Sequence, residues 1–116
     1  MEQTFGGFVR QRRQAMGLSL RGLAARAGLS PVYMSSIETD RKAAPAQESL
    51  ERLAVELRLG KEEREIFLDL AAKSRKQRVS ADLPDYIMEK DIVRAALRTA
   101  KEVDATDEEW QEFIDR

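Results

Sequence analysis

Apolar residues recur along this chain at spacings of three and four, and almost nowhere alternate with polar ones. That is the period of a helix buried on one side, whereas a half-buried strand alternates at every second residue. The pattern therefore predicts an all-α chain. A first helix is expected over about Phe5–Met16, with Phe5, Val9 and Met16 inward and Gly17 at its end. Gly6 and Gly7 weaken its first turn by about 1 kcal/mol each relative to Ala. A second helix begins after Ser19, an N-cap by side-chain chemistry, and runs to about Ala27 with Leu20, Leu23, Ala24 and Ala27 as its apolar stripe. Gly28 suits the left-handed position that follows a helix. Ser30 then caps a third helix, Pro31 to about Thr39, with Pro31 in the first turn, where its missing N–H costs nothing. Met34 and Ile37 are its buried residues.

A loop over residues 40–46 leads to a fourth helix, about Gln47–Leu57, burying Leu50, Leu53, Ala54 and Leu57. A fifth, about Lys61–Lys73, carries Ile66, Phe67, Leu70 and Ala71 inward behind a Glu-rich first turn, as the helix dipole favours. Residues 73–82 have almost no apolar content and read as a basic linker or an exposed helix extension. Three short helical stretches follow. Leu83-Pro84 opens one containing Tyr86, Ile87 and Met88. Asp91 caps the next, Ile92–Val103, with Ile92, Val93, Ala96, Leu97 and Ala100 inward. Thr106 and Glu109 form a Thr-x-x-Glu capping box for the last. The expected division is 1–72, a helical domain; 73–82, a basic linker; and 83–116, an acidic helical extension.

Charge sharpens that division. Residues 1–80 hold 15 Lys and Arg against 10 Asp and Glu, whereas residues 81–116 hold 5 against 11. The near-zero total conceals a basic front and an acidic tail, a distribution that suits a nucleic-acid surface joined to a part facing something else. The chain has no Cys and no His, which excludes disulfides, thiolate zinc sites and His-based triads. No apolar run approaches the roughly 20 residues of a membrane span, and no secretory signal is visible. A cytoplasmic protein without cofactor or metal, and not an enzyme, is expected. Of the remaining catalytic types, carboxylates, Lys and Tyr, no carboxylate lies in an apolar setting that would tune it, and no Gly-x-Gly-x-x-Gly is present.

Residues 18–38 combine two short apolar stripes with a glycine corner, the pattern of a helix-turn-helix, whose second helix lies in the DNA major groove. The neighbouring residues extend the likeness. Arg13, Gly17-Leu18-Ser19, Leu23-Ala24, Ala27-Gly28-Leu29-Ser30, Tyr33-Met34-Ser35, Ile37-Glu38, Pro45 and Leu50-x-x-Leu53-Ala54 occur in order. On these, residues 5–70 resemble the Cro/CI-type helix-turn-helix family, also called the XRE family. The resemblance implies a five-helix, lambda-repressor-like DNA-binding domain and a structural ion pair between Arg13 and Glu38.

It also implies that the third helix presents Val32, Tyr33, Ser35 and Ser36 to base edges, with Thr39 at its margin. Tyr33 has a second reading, packing on the scaffold. None of these is the Arg, Asn or Gln that reads a base through two hydrogen bonds. The family often has Gln on the first turn of its second helix; this chain has Leu20, which cannot hydrogen-bond a phosphate. Modest direct readout is therefore expected, with more left to DNA shape and half-site spacing. Affinity then leans on phosphate contacts from Ser19, Arg21, Ser30, Arg41 and Lys42. Arg10, Arg12 and Arg26 are weaker candidates. The basic stretch Lys73, Arg75, Lys76 and Arg78 reads equally as a backbone contact or a solvated tether.

The acidic tail holds Tyr86, Ile87, Met88, Leu97, Trp110, Phe113 and Ile114, too much apolar surface for a free tail. Three fates are open: folding onto the fifth helix, pairing with a second copy, or binding a partner. The leading expectation is a homodimeric repressor on an inverted repeat in double-stranded DNA. The alternative is an antitoxin or a protease-regulated repressor, whose tail would bind a toxin or a metallopeptidase. The tail's carboxylates, Asp107, Glu108, Glu109 and Glu112, sit at a capped helix start and read as a solvated, dipole-favoured face.

Overall fold

The computed structural model describes residues 3–75 and 79–116; Lys76 and Arg78 of the basic stretch lie outside the described residues. The described residues are all-α: α1 (Phe5–Ala15), α2 (Leu20–Ala27), α3 (Pro31–Glu38), α4 (Gln47–Glu56), α5 (Lys61–Lys73), α6 (Pro84–Glu89), α7 (Asp91–Glu102) and α8 (Asp107–Ile114). They divide into two units, Met1–Ala81 and Asp82–Arg116.

In the first unit the helix starts follow from local chemistry. The Thr4 hydroxyl oxygen accepts from the Gly7 N–H at 3.0 Å, Ser19 accepts from Gly22 at 2.9 Å, and Ser30 accepts from Tyr33 at 3.1 Å. Each satisfies an N–H that the helix cannot satisfy internally. Gly28 ends α2 at φ 73°, where a side chain would be strained. Gly6 answers a different demand. A Cβ there would lie 2.3 Å from the Ile37 carbonyl oxygen and 2.7 Å from that of Glu38. The start of α1 is thus pressed against the end of α3, and only hydrogen fits between them.

The core of this unit is built from Phe5, Val9, Leu23, Met34, Ile37, Leu50, Leu53, Leu57 and Phe67, all buried. Phe5 and Phe8 both pack on Phe67, with ring centroids 5.0 and 5.9 Å apart and tilted faces. One inward expectation on α5 needs correction. Ile66 is 48% exposed, while Leu68 is buried. The stripe that α5 buries is Phe67, Leu68, Ala71 and Ala72, one position round the helix from the stripe its apolar residues suggest. Within the stretch expected as linker, Ser80 is buried, its hydroxyl donates to the Asp69 carboxylate, and Ala81 packs against the core.

The second unit has helices but no buried residue. Thr106 and Glu109 form the expected reciprocal cap, each oxygen accepting a backbone N–H at 3.2 Å. Asp91 is not the cap of α7: it stands inside the first turn and accepts from Arg94. The Arg94 guanidinium also donates to the Ile87 carbonyl at 2.9 Å, closing the end of α6. Ile92, Ala96 and Leu97, expected inward, are exposed, Ile92 to 75%. A pair of short helices has only one mutual face, so the opposite apolar residues of an amphipathic α7 remain uncovered.

Candidate nucleic-acid interface

α2, the Gly28 corner and α3 form the surface on which the sequence-expected site residues lie. Its orientation is set from behind, by α1. The Arg13 Nε donates to Glu38 Oε2 at 2.7 Å, and its Nη2 donates to Oε1 at 2.9 Å. The third guanidinium nitrogen donates to the Leu18 carbonyl at 2.9 Å, just before α2. One arginine therefore ties the end of α3 to the start of α2. The side chains of Arg13 and Glu38 are only 12% and 3% exposed. Their two parallel hydrogen bonds in a partly desolvated setting are the strong, directional kind. Hydrogen bonding to Glu38, with its negative charge, raises the Arg13 pKa above its ordinary value against the opposing effect of burial, so the guanidinium stays charged throughout the working pH range.

A second tie lies just past the same end of α3. Asp40 takes a left-handed backbone, φ 60°. Its carboxylate accepts the Gly6 N–H at 3.0 Å and the Thr4 hydroxyl at 2.7 Å. These partners stand 34 and 36 residues away, so no sequence spacing announces them. Arg12, one of the weaker phosphate candidates, is engaged elsewhere: it donates to the Leu57 and Arg58 carbonyls at 2.9 and 3.1 Å and pairs with Glu63 at 3.3 Å. Arg26 pairs loosely with Glu56 at 3.8 Å. Arg75 donates to the Ala44 carbonyl at 3.1 Å and to that of Pro45, and so holds the loop after α3 rather than standing free.

On α3 itself, Val32 is 78% exposed and Ser35 is exposed. Ser36 is half-buried, and its hydroxyl donates to the Val32 carbonyl at 3.1 Å, which leaves only its oxygen lone pairs for an outside donor. Tyr33 is half-buried and packs against the core cluster. The Thr39 hydroxyl donates to the Ser35 carbonyl at 2.9 Å. The capping oxygens of Ser19 and Ser30 are occupied as acceptors, yet each hydroxyl keeps its hydrogen to donate. Arg21, Arg41 and Lys42 are exposed. Arg10 shares a shallow cleft with Ser35 and Thr39, so it lies beside α3.

Among the described residues no group of three acidic, Cys or His side chains could hold a metal ion, and no helix is long and apolar enough to cross a membrane. In the second unit, Tyr86, Met88, Trp110, Phe113 and Ile114 are exposed, Leu97 is 40% exposed and Ile87 is half-buried. Trp110 and Phe113 of α8 flank an open apolar groove floored by Ala95, Ala96 and Ala100 of α7.

The family model described as a helix-turn-helix domain matches residues 4–67, more than half of the chain. Among solved structures, the chain is similar to SinR, a master regulator for biofilm formation, in complex with DNA. Identity there is 33% over 49% of this chain and 90% of that one, with a TM-score of 0.46. It is also similar to a chain of the SinR–SinI complex, at 21% identity over 97% of this chain and 92% of that one, with a TM-score of 0.47. No curated protein matches the chain.

Proposed function

The chain belongs to the Cro/CI-type (XRE) helix-turn-helix family and is a DNA-binding transcriptional regulator; on that premise we propose that it is a repressor, occupying an inverted-repeat operator as a homodimer. The observation that carries the reading is the Arg13–Glu38 fork behind a Ser30-capped α3, whose outer face presents Val32 and Ser35. A recognition helix must be held rigid, because its base contacts depend on placement to within a fraction of an ångström.

Val32 offers a methyl surface to thymine C5-methyl groups, the Ser35 hydroxyl meets base-edge donors or acceptors, and the Ser36 oxygen, its hydrogen already given to Val32, meets base-edge donors only. Tyr33 reaches the groove edge from its scaffold seat. Phosphates are held by the Ser19 and Ser30 hydroxyls, the two helix starts, Arg21, Arg41 and Lys42. Such a surface reads few base pairs alone. The second unit supplies the pairing: the apolar groove shared by α7 and α8, in a unit without one buried residue, gains a core when two copies face each other. The same exposed face also supports the other reading, a protein partner such as a toxin or a metallopeptidase.

Selection of bound sequences from random DNA, using the full chain, tests the proposal. An enriched inverted repeat with half-sites about one helical turn apart is the expected result. Enrichment of a single unpaired half-site sinks the dimer, and no enrichment at all sinks sequence-specific readout.

A further inference from the structure

Three cations from two separate parts of the sequence line one cleft beside the end of α3. The cleft, of about 470 Å3, lies between the start of α1, the loop after α3 and the end of α5, and Arg41, Lys42 and Lys73 are among its walls. Among the described residues no carboxylate pairs with any of the three. The one acid lining the cleft, Asp40, already spends its oxygens on the Gly6 N–H and the Thr4 hydroxyl.

The arrangement is built rather than loose. The Arg41 and Lys42 N–H groups both donate to the Ser36 carbonyl, at 2.9 and 3.2 Å. The Ala44 N–H donates to Ser74 Oγ at 2.9 Å, and Arg75 holds the Ala44 carbonyl from the same helix end. The loop carrying two cations is thereby bolted to the end of α5, which carries the third. The dipole at the end of α5 accounts for a lysine at position 73 by itself. It does not account for the placement of that lysine on the same cleft as Arg41 and Lys42, where three cations outnumber the one carboxylate, Asp40.

We propose that this cleft binds phosphate, with Lys73 as its third cation. Lys73 thus extends the anion-binding surface beyond the helix-turn-helix. A DNA backbone phosphate and a free polyphosphate present the same chemistry to it. The DNA source rests on the reading of Arg41 and Lys42 as phosphate contacts.

Lys73→Gln in the full chain is the discriminating variant. The side chain is exposed, so the unfolding midpoint should move only slightly, through loss of a cation at the end of α5, and Lys101→Gln in the second unit serves as the charge-matched control. With a random-sequence duplex, the slope of log K against log salt is expected to fall by about 1 in Lys73→Gln and to stay unchanged in Lys101→Gln. If instead the duplex slope is unchanged, and calorimetry shows inorganic tripolyphosphate binding the wild type about tenfold more tightly than Lys73→Gln, the cleft serves a free polyanion; tenfold corresponds to one charge-assisted hydrogen bond. A Lys73→Gln variant that matches the wild type in both titrations, or does no more than Lys101→Gln, overturns the proposal. Failure of the wild type to bind any duplex at low salt would count against DNA binding itself, and the tripolyphosphate titration alone would then decide the cleft.

Discussion

Arg13 on α1 grips Glu38 at the end of α3 through two parallel hydrogen bonds of 2.7 and 2.9 Å, across 25 residues of sequence. Both side chains are largely out of water, so neither can lose its partner cheaply. Glu38→Ala is expected to cost about 3 kcal/mol of unfolding free energy, most of it from stranding a desolvated guanidinium. Replacing both residues with apolar side chains of similar size should cost clearly less than either single change. Urea unfolding of the three variants checks this, and additive losses would show that the two residues act independently.

Gly6→Ala puts a methyl group 2.3 Å from the Ile37 carbonyl oxygen. Ala is normally worth about 1 kcal/mol more than Gly inside a helix, so simple propensity forecasts a gain. The contact forecasts a net loss of about 1–3 kcal/mol through displacement of α1 from α3. Gly7→Ala is the comparison: its new Cβ would meet only the Thr4 hydroxyl oxygen, at 3.1 Å. Thermal melts should show Gly6→Ala well below Gly7→Ala, and equal midpoints would refute the close approach.

Exposed phosphate contacts and base contacts should separate by salt and by sequence. Arg21→Gln and Arg41→Gln are each expected to lower the salt slope of DNA binding by about 1, uniformly across sequences. Ser35→Ala combined with Tyr33→Ala should weaken selected DNA more than random DNA, with the slope preserved. Equal loss on both duplexes would remove direct readout by α3.

Pairing through the second unit is checked by charge insertion. Phe113 is 66% exposed and lies on the rim of the α7–α8 groove with Trp110. Phe113→Asp should leave the unfolding of the first unit unchanged while shifting the full chain toward monomer in sedimentation equilibrium. Operator binding should weaken in step. An unaltered mass distribution would turn attention from self-association to a separate protein partner.

Much of the fold is legible in one dimension because it is local. A hydroxyl three residues before an N–H caps a helix, as at Thr106, Ser19 and Ser30, and a residue in the left-handed region is most cheaply a glycine, as at Gly28. Apolar stripes at helical spacing placed Leu23, Met34, Ile37, Leu50 and Leu53 in the core, where burial confirms them. The same stripes misplaced Ile66 and Ile92. Periodicity shows that a helix has an apolar side, but which residues at its edge are covered depends on the neighbouring element and its angle of approach.

By itself, the sequence determined an all-α chain, the caps at Ser19, Ser30 and Thr106 and the glycine corner, since each depends on residues within one helical turn of one another. Only the tertiary structure decided which polar residues are free to meet DNA. Ser36 turns its hydroxyl back on Val32, Arg12 and Arg75 are consumed holding carbonyls, and Asp40 is consumed by Gly6 and Thr4. Most of those partners lie tens of residues away. A side chain's hydrogen-bonding capacity is finite, and what remains for a ligand is known only once packing has brought its competitors within reach.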